Sequence, residues 1–76
     1  MKESTKRLGE FFAKSREARG WSQVKAAALI GCTVPDLSRY ENGKTEPTLG
    51  RALVMCEVYG KSANQMAQAM KVSVDS

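Results

Sequence analysis

Residues 22–43, SQVKAAALIGCTVPDLSRYENG, decide how the chain folds. They read as two short helical stretches joined by a tight turn. Ser22 is placed to cap the first, because its hydroxyl can accept a hydrogen bond from a first-turn N–H that has no helical partner. Ala26, Ala27, Leu29 and Ile30 give that stretch an apolar side, and its alanines favour helix. Gly31 sits where a helix ends in a left-handed residue, a conformation glycine adopts without a Cβ penalty. Thr33 starts the second helix. Asp36 lies three residues on, so the two have the form of a capping box with Asp in place of Glu or Gln. Pro35 falls in the first turn, where a missing N–H does little harm. Leu37 and Tyr40, three apart, share a buried face and leave Val34, Pro35, Asp36, Ser38 and Arg39 on the others. Asn42-Gly43 stops the helix.

Upstream, residues 1–4 read as a frayed start, and a helix follows from about Thr5 to Arg19. Leu8, Phe11, Phe12, Ser15 and Ala18 recur at helical spacing and turn inward. Arg19-Gly20 ends this helix, and Trp21 plugs the gap between helices one and two; base stacking is the rival role for Trp21. Downstream, residues 44–47 form a loop. A fourth helix runs from about Thr48 to Tyr59, with Leu49, Ala52, Leu53, Met55, Cys56 and Tyr59 on its apolar side and Gly60 closing it. Ser62 caps a fifth, from about Ala63 to Met70, with Ala63, Met66, Ala67 and Met70 apolar. Residues 71–76 read as a loose end. No alternating β-branched run is long enough for a strand. The fold class is therefore all-α, a compact bundle of five short helices, with residues 1–76 as one domain.

The chain has 76 residues, so its core is small; such a chain buries only about 60% of its unfolded surface. Twelve Lys and Arg against eight Asp and Glu leave a net charge of +4, which suits a polyanionic partner without requiring one. No apolar run approaches the roughly 18 residues that span a bilayer. The charged N-terminus lacks the apolar core of a signal peptide, so a cytoplasmic location is expected. Cys32 and Cys56 form no CxxC pair and the chain has no His, which argues against zinc and for reduced thiols. No cofactor is expected. Without His, a carboxylate pair at useful spacing or a Gly-rich phosphate loop, the chain does not read as an enzyme. Cys32 in the turn reads as an apolar filler, with redox sensing as the less favoured alternative.

Ser22-Gln23, Ala27, the Gly31-Cys32-Thr33 turn, Leu37 and Tyr40-Glu41-Asn42-Gly43-Lys44 together resemble the Cro/repressor-like (XRE-type) helix-turn-helix DNA-binding family. The similarity extends from Leu8 to about Met66. Each short match is weak alone; their order and spacing make the resemblance specific. It implies a lambda-repressor-like domain whose motif, about residues 22–42, lays its second helix in the major groove and its first across the phosphate backbone.

On that resemblance Thr33, Val34, Pro35, Asp36, Ser38 and Arg39 face the groove. Arg39 is the base reader, its planar fork matched to guanine O6 and N7, with a phosphate contact or a solvated surface charge as the alternatives. Val34 and Pro35 either touch thymine methyl groups or only shape the helix start; several relatives carry polar residues there. Ser38 can bond a base or a phosphate, and Asp36 is either a cap or an acceptor for cytosine. The resemblance makes Gln23 a phosphate clamp and gives Asn42, Lys44 and Thr45 a second backbone contact. Lys25 and Arg51 flank these as phosphate contacts or solvated charges. It also pairs Arg16 of the first helix with Glu41, as a partly buried ion pair.

The function implied is a sequence-specific regulator of transcription, in the simplest case a repressor, bound to double-stranded DNA. A module this small buries roughly 600–1,000 Å² on DNA, so a homodimer on a palindromic operator is expected. Its surface is expected around the fifth helix, at Ala63, Met66, Ala67, Met70 and Tyr59, unless these belong to the intrachain core. The alternative is an antitoxin or adaptor that uses the same bundle to bind a protein partner.

Overall fold

A computed structural model of the chain describes residues 2–71. It contains α1 (Glu3–Ala18), α2 (Gln23–Ile30), α3 (Val34–Glu41), α4 (Leu49–Tyr59) and α5 (Ala63–Met70), and no strand among the described residues. The loose end expected for residues 71–76 lies outside the described residues from 72 onward, as does Met1. The radius of gyration is 11.8 Å, close to the about 11 Å of a compact chain of this length.

Four of the five helices start on a hydroxyl. The side chains of Ser22, Thr33 and Thr48 accept from the backbone N–H of Lys25, Asp36 and Arg51, each at 3.1 Å. At α5 the cap is reciprocal: Gln65 N–H donates to Ser62 Oγ at 3.0 Å, and Ser62 N–H donates to Gln65 Oε1 at 2.8 Å. Each such cap contributes about 1 kcal/mol to its helix, a large share for helices of two or three turns. Gly31 ends α2 at φ 90°, where a β-carbon would be strained. The first helix begins earlier than expected, at Glu3 rather than Thr5. Lys6 N–H reaches the Lys2 carbonyl at 3.1 Å, and Glu3 pairs with Arg7 one turn on at 3.2 Å. That pair, and Glu3 near the positive end of the helix, favour the earlier start.

Leu8 and Phe12 of α1, Ala26, Ala27 and Ile30 of α2, Leu37 of α3, Ala52, Met55, Cys56 and Tyr59 of α4, and Met66 of α5 form the core. Trp21 packs against its edge, with its ring centroid 6.2 Å from that of Tyr59. Arg19 and Lys25 hold their charges 5.2 and 5.3 Å from the indole centroid, so the electron-rich ring also carries two cations over it. The plug reading of Trp21 is the one that fits.

Several apolar residues turn outward against expectation. Ala18 and Leu29 are exposed, and so are Leu49 and Leu53. Helices this short carry more apolar residues than one stripe can bury, and packing decides which stripe goes inside. Small Ala26 and Ala27 let α2 sit close to its neighbours, which fixes the inward side and leaves Leu29 rotated away. Met66 and Tyr59 are core residues, while Ala63 and Ala67 are exposed. Both cysteines are free thiols, and burial pushes each of them up. The Arg51 guanidinium opposes that rise at Cys32 without overcoming it. Among the described residues no helix is long and apolar enough to cross a membrane, and no three His, Cys, Asp or Glu side chains gather as a metal site.

Candidate nucleic-acid interface

One feature of α1 sets where α3 lies. At Gly9 the two helices touch backbone to backbone: a β-carbon there would sit 2.7 Å from the Glu41 carbonyl oxygen and closer still to that of Tyr40. No side chain fits in that gap, so glycine allows the crossing. Around it Leu37 is fully buried and Tyr40 packs against the core.

The crossing is locked by charge. Arg16 Nε donates to Glu41 Oε2 at 2.7 Å and Arg16 Nη2 donates to Glu41 Oε1 at 3.0 Å. The two side chains are only 13% and 6% exposed. The remaining capacity of the pair is also used. Arg16 Nη1 donates to the Trp21 carbonyl at 2.8 Å, and Gln23 Nε2 donates to Glu41 Oε1 at 3.0 Å. Hydrogen bonding to Glu41 raises the Arg16 pKa further, against the opposing effect of burial. A fork-to-carboxylate pair of this kind fixes orientation as well as distance. It ties the end of α3 to α1, and through Gln23 to the start of α2.

With one side so held, α3 turns the rest outward. Thr33, Pro35 and Arg39 are exposed, and Asp36 and Ser38 half-buried. Val34 departs from the expected outward set, since it is half-buried against the core. Its place at the first position of α3, beside the α2–α3 turn, explains this. Arg39 bonds Asp36 through Nη2, and Asp36 N–H bonds the Thr33 hydroxyl. The Asp36 carboxyl is held below the usual carboxylate range, first by hydrogen bonding from Thr33 and then by Arg39. Thr33 thus caps the helix, and the Asp36 carboxylate meets both Thr33 and Arg39.

Asn42 folds its amide back onto the Ser38 carbonyl at 2.8 Å and the Ser38 hydroxyl at 3.3 Å. Lys44 and Thr45 stand exposed in the loop beyond. Gln23, expected to reach outward, spends one amide proton on Glu41; Nε2 carries a second. Sequence reasoning missed this bond and the role of Gly9, because both depend on residues far apart in the chain.

A family model described as a helix-turn-helix domain matches residues 7–69. The chain belongs to that family. The helix-turn-helix motif is α2 and α3, joined at Gly31, and the XRE-like resemblance of residues 22–43 is borne out. The chain is similar to the SPbeta prophage-derived uncharacterized HTH-type transcriptional regulator YonR of Bacillus subtilis (strain 168), at 29% identity over 68 residues. That alignment covers 90% of this chain and 63% of the relative, so the chain spans less than two thirds of that protein's length. No solved structure matches.

Proposed function

We propose that this helix-turn-helix chain is a sequence-specific DNA-binding regulator of transcription, acting in the cytoplasm as a homodimeric repressor. The observation that carries the reading is the bracing of α3: Gly9, Leu37 and the Arg16–Glu41 pair hold one side while Thr33, Pro35 and Arg39 stay open. A stiff helix with a polar outer side suits the major groove, where each base pair carries its own pattern of donors and acceptors. The relative is named as a transcriptional regulator, which supports the regulatory half of the proposal.

Arg39 is the base reader, supplying two parallel donors to guanine O6 and N7. Ser38 and Thr33 offer hydroxyls beside it, and Pro35 offers an apolar edge to a thymine methyl. Val34 contributes mainly by seating the helix start. Gln23 meets phosphate with its second amide proton, close to the open N–H groups of the α2 terminus. Asn42, Lys44 and Thr45 hold the backbone on the far side. Two copies reading half-sites about 34 Å apart would face a near-palindrome and cover promoter DNA.

Titration of duplex DNA over a range of salt tests this. The logarithm of the binding constant should fall by about 0.9 per phosphate neutralised for each unit of log salt, and a selected site should be preferred over its scrambled form. Weak and equal binding to all sequences would contradict the reading and favour an antitoxin or adaptor that grips a protein instead.

A further inference from the structure

The sequence places the pairing surface on α5, and the fold withdraws most of it. Met66 and Tyr59 are spent in the core and Met70 packs against it. Exposed apolar side chains lie on α2, at Val24 and Leu29, and on α4, where three stand on or beside one stripe. Gly50, Leu53, Val54 and Glu57 follow the i, i+3, i+4, i+7 spacing of one helical stripe, and all four are exposed. Leu53 and Val54 are each 43% exposed, and Leu49 at the margin is 72% exposed. Nothing lies within 4 Å of a β-carbon built on Gly50, so the backbone of α4 is bare there. Glycine within a helix is unfavourable by itself, and an open one beside apolar neighbours is suited to close approach by a second helix.

Charge says what that second helix is. Glu57 closes the stripe at one end, and Arg51 flanks it at the other, half-buried beside Cys32. Neither takes part in an ion pair among the described residues. An antiparallel copy of α4, centred between Leu53 and Val54, sets each Glu57 opposite the partner's Gly50, one residue from the partner's Arg51. The contact is made twice by two-fold symmetry, and each carboxylate also meets the positive end of the other helix. A surface with one acid and one base on either side of an apolar centre complements itself.

We propose that α4 is the homodimer surface, with a second copy packed antiparallel along Gly50, Leu53, Val54 and Glu57. The purpose of this dimer rests on the DNA-binding reading; its geometry does not. The patch is far smaller than the 20–30 residues a side of a standard interface, so the free chain associates weakly. Two half-sites on one duplex would raise the effective concentration and complete the pairing.

Sedimentation equilibrium of the 76-residue chain measures the association alone, and titration of one-half-site and two-half-site duplexes measures it on DNA. Leu53→Glu should weaken the dimer roughly tenfold or more while leaving helical content and one-half-site binding as they are. Glu57→Arg should weaken it, and adding Arg51→Glu to that variant should restore it, a rescue that a purely intrachain role would not give. Association indifferent to Leu53→Glu, or a double variant no better than Glu57→Arg, overturns the proposal. So does a wild-type chain that neither self-associates nor binds two half-sites cooperatively. A chain that dimerises with this mutational pattern yet binds no DNA supports the α4 surface and refutes the regulator.

Discussion

Arg39 reaches back to Asp36, and on the proposed function that contact bears on how it would meet a base. A long side chain that is free to rotate must be ordered on binding; one already held by a neighbour loses less freedom. Asp36 is itself ionised and kept so by Thr33 and Arg39. Yet an acid near the phosphate backbone also repels it. The two effects separate in Asp36→Ala. Binding to unrelated DNA should strengthen as the repulsion goes, while preference for guanine at the Arg39 position should fall roughly threefold, the size of an exposed ion pair's influence. Paired titrations against the selected site and its single-base variants would show it; stronger binding with the preference intact would mean that Asp36 does not position Arg39. At this scale much was legible in advance. The hydroxyl caps at Ser22, Thr33, Thr48 and Ser62 and the glycine stop at Gly31 are set by neighbours a few residues away, so sequence alone finds them. That Asp36 also pairs with Arg39 was not, because its spacing from Thr33 accounts for the acid without a second partner.

The α1–α3 crossing is the element-scale feature on which the site depends. Its apolar part, Leu37 against the core, follows from helical spacing. The Arg16–Glu41 pair came through the family resemblance, and composition would not have found it. Gly9 was invisible, since only the crossing itself reveals that no side chain fits. Removing one partner of the pair strands the other with most of its surface buried. Arg16→Ala should therefore destabilise the chain by about 3 kcal/mol. Glu41→Ala should cost a similar amount, because each survivor keeps one partner: Arg16 the Trp21 carbonyl, and Glu41 the Gln23 amide. In a double-mutant cycle read by urea unfolding, the double variant should be more stable than the sum of the single losses by well over 0.5 kcal/mol. A coupling near zero would show that the pair does not hold α3. Outward Leu29, Leu49 and Leu53 mark the limit of pattern reading: in a helix with two apolar stripes, spacing cannot say which one meets the core.

Across the whole molecule, Tyr59 joins the core to the site. Its ring packs near those of Phe12 and Trp21, and its buried hydroxyl has no hydrogen-bond partner among the described residues. Burial first, and the nearby Glu41 charge second, push the phenol up to about 12. A folded-state pKa above the unfolded value of about 10 contributes stability that is whole below pH 10 and lost as pH rises toward 12. Unfolding free energy should thus fall by on the order of 2 kcal/mol across that window, and Tyr59→Phe should remove this step. At neutral pH the same variant should be neutral or slightly stabilising, as it deletes a buried hydroxyl that has no partner among the described residues. A wild-type alkaline profile matching that of Tyr59→Phe would contradict this. On the proposed function, the bundle holds α3 still so that a few outward side chains can meet DNA. Selection of bound sequences from random duplexes, with wild type and Arg39→Ala side by side, tests that most directly. The wild type should return paired half-sites, and Arg39→Ala should lose about 1–3 kcal/mol of discrimination at one base position in each, with the others unchanged. Identical sequence profiles from the two proteins would contradict the account.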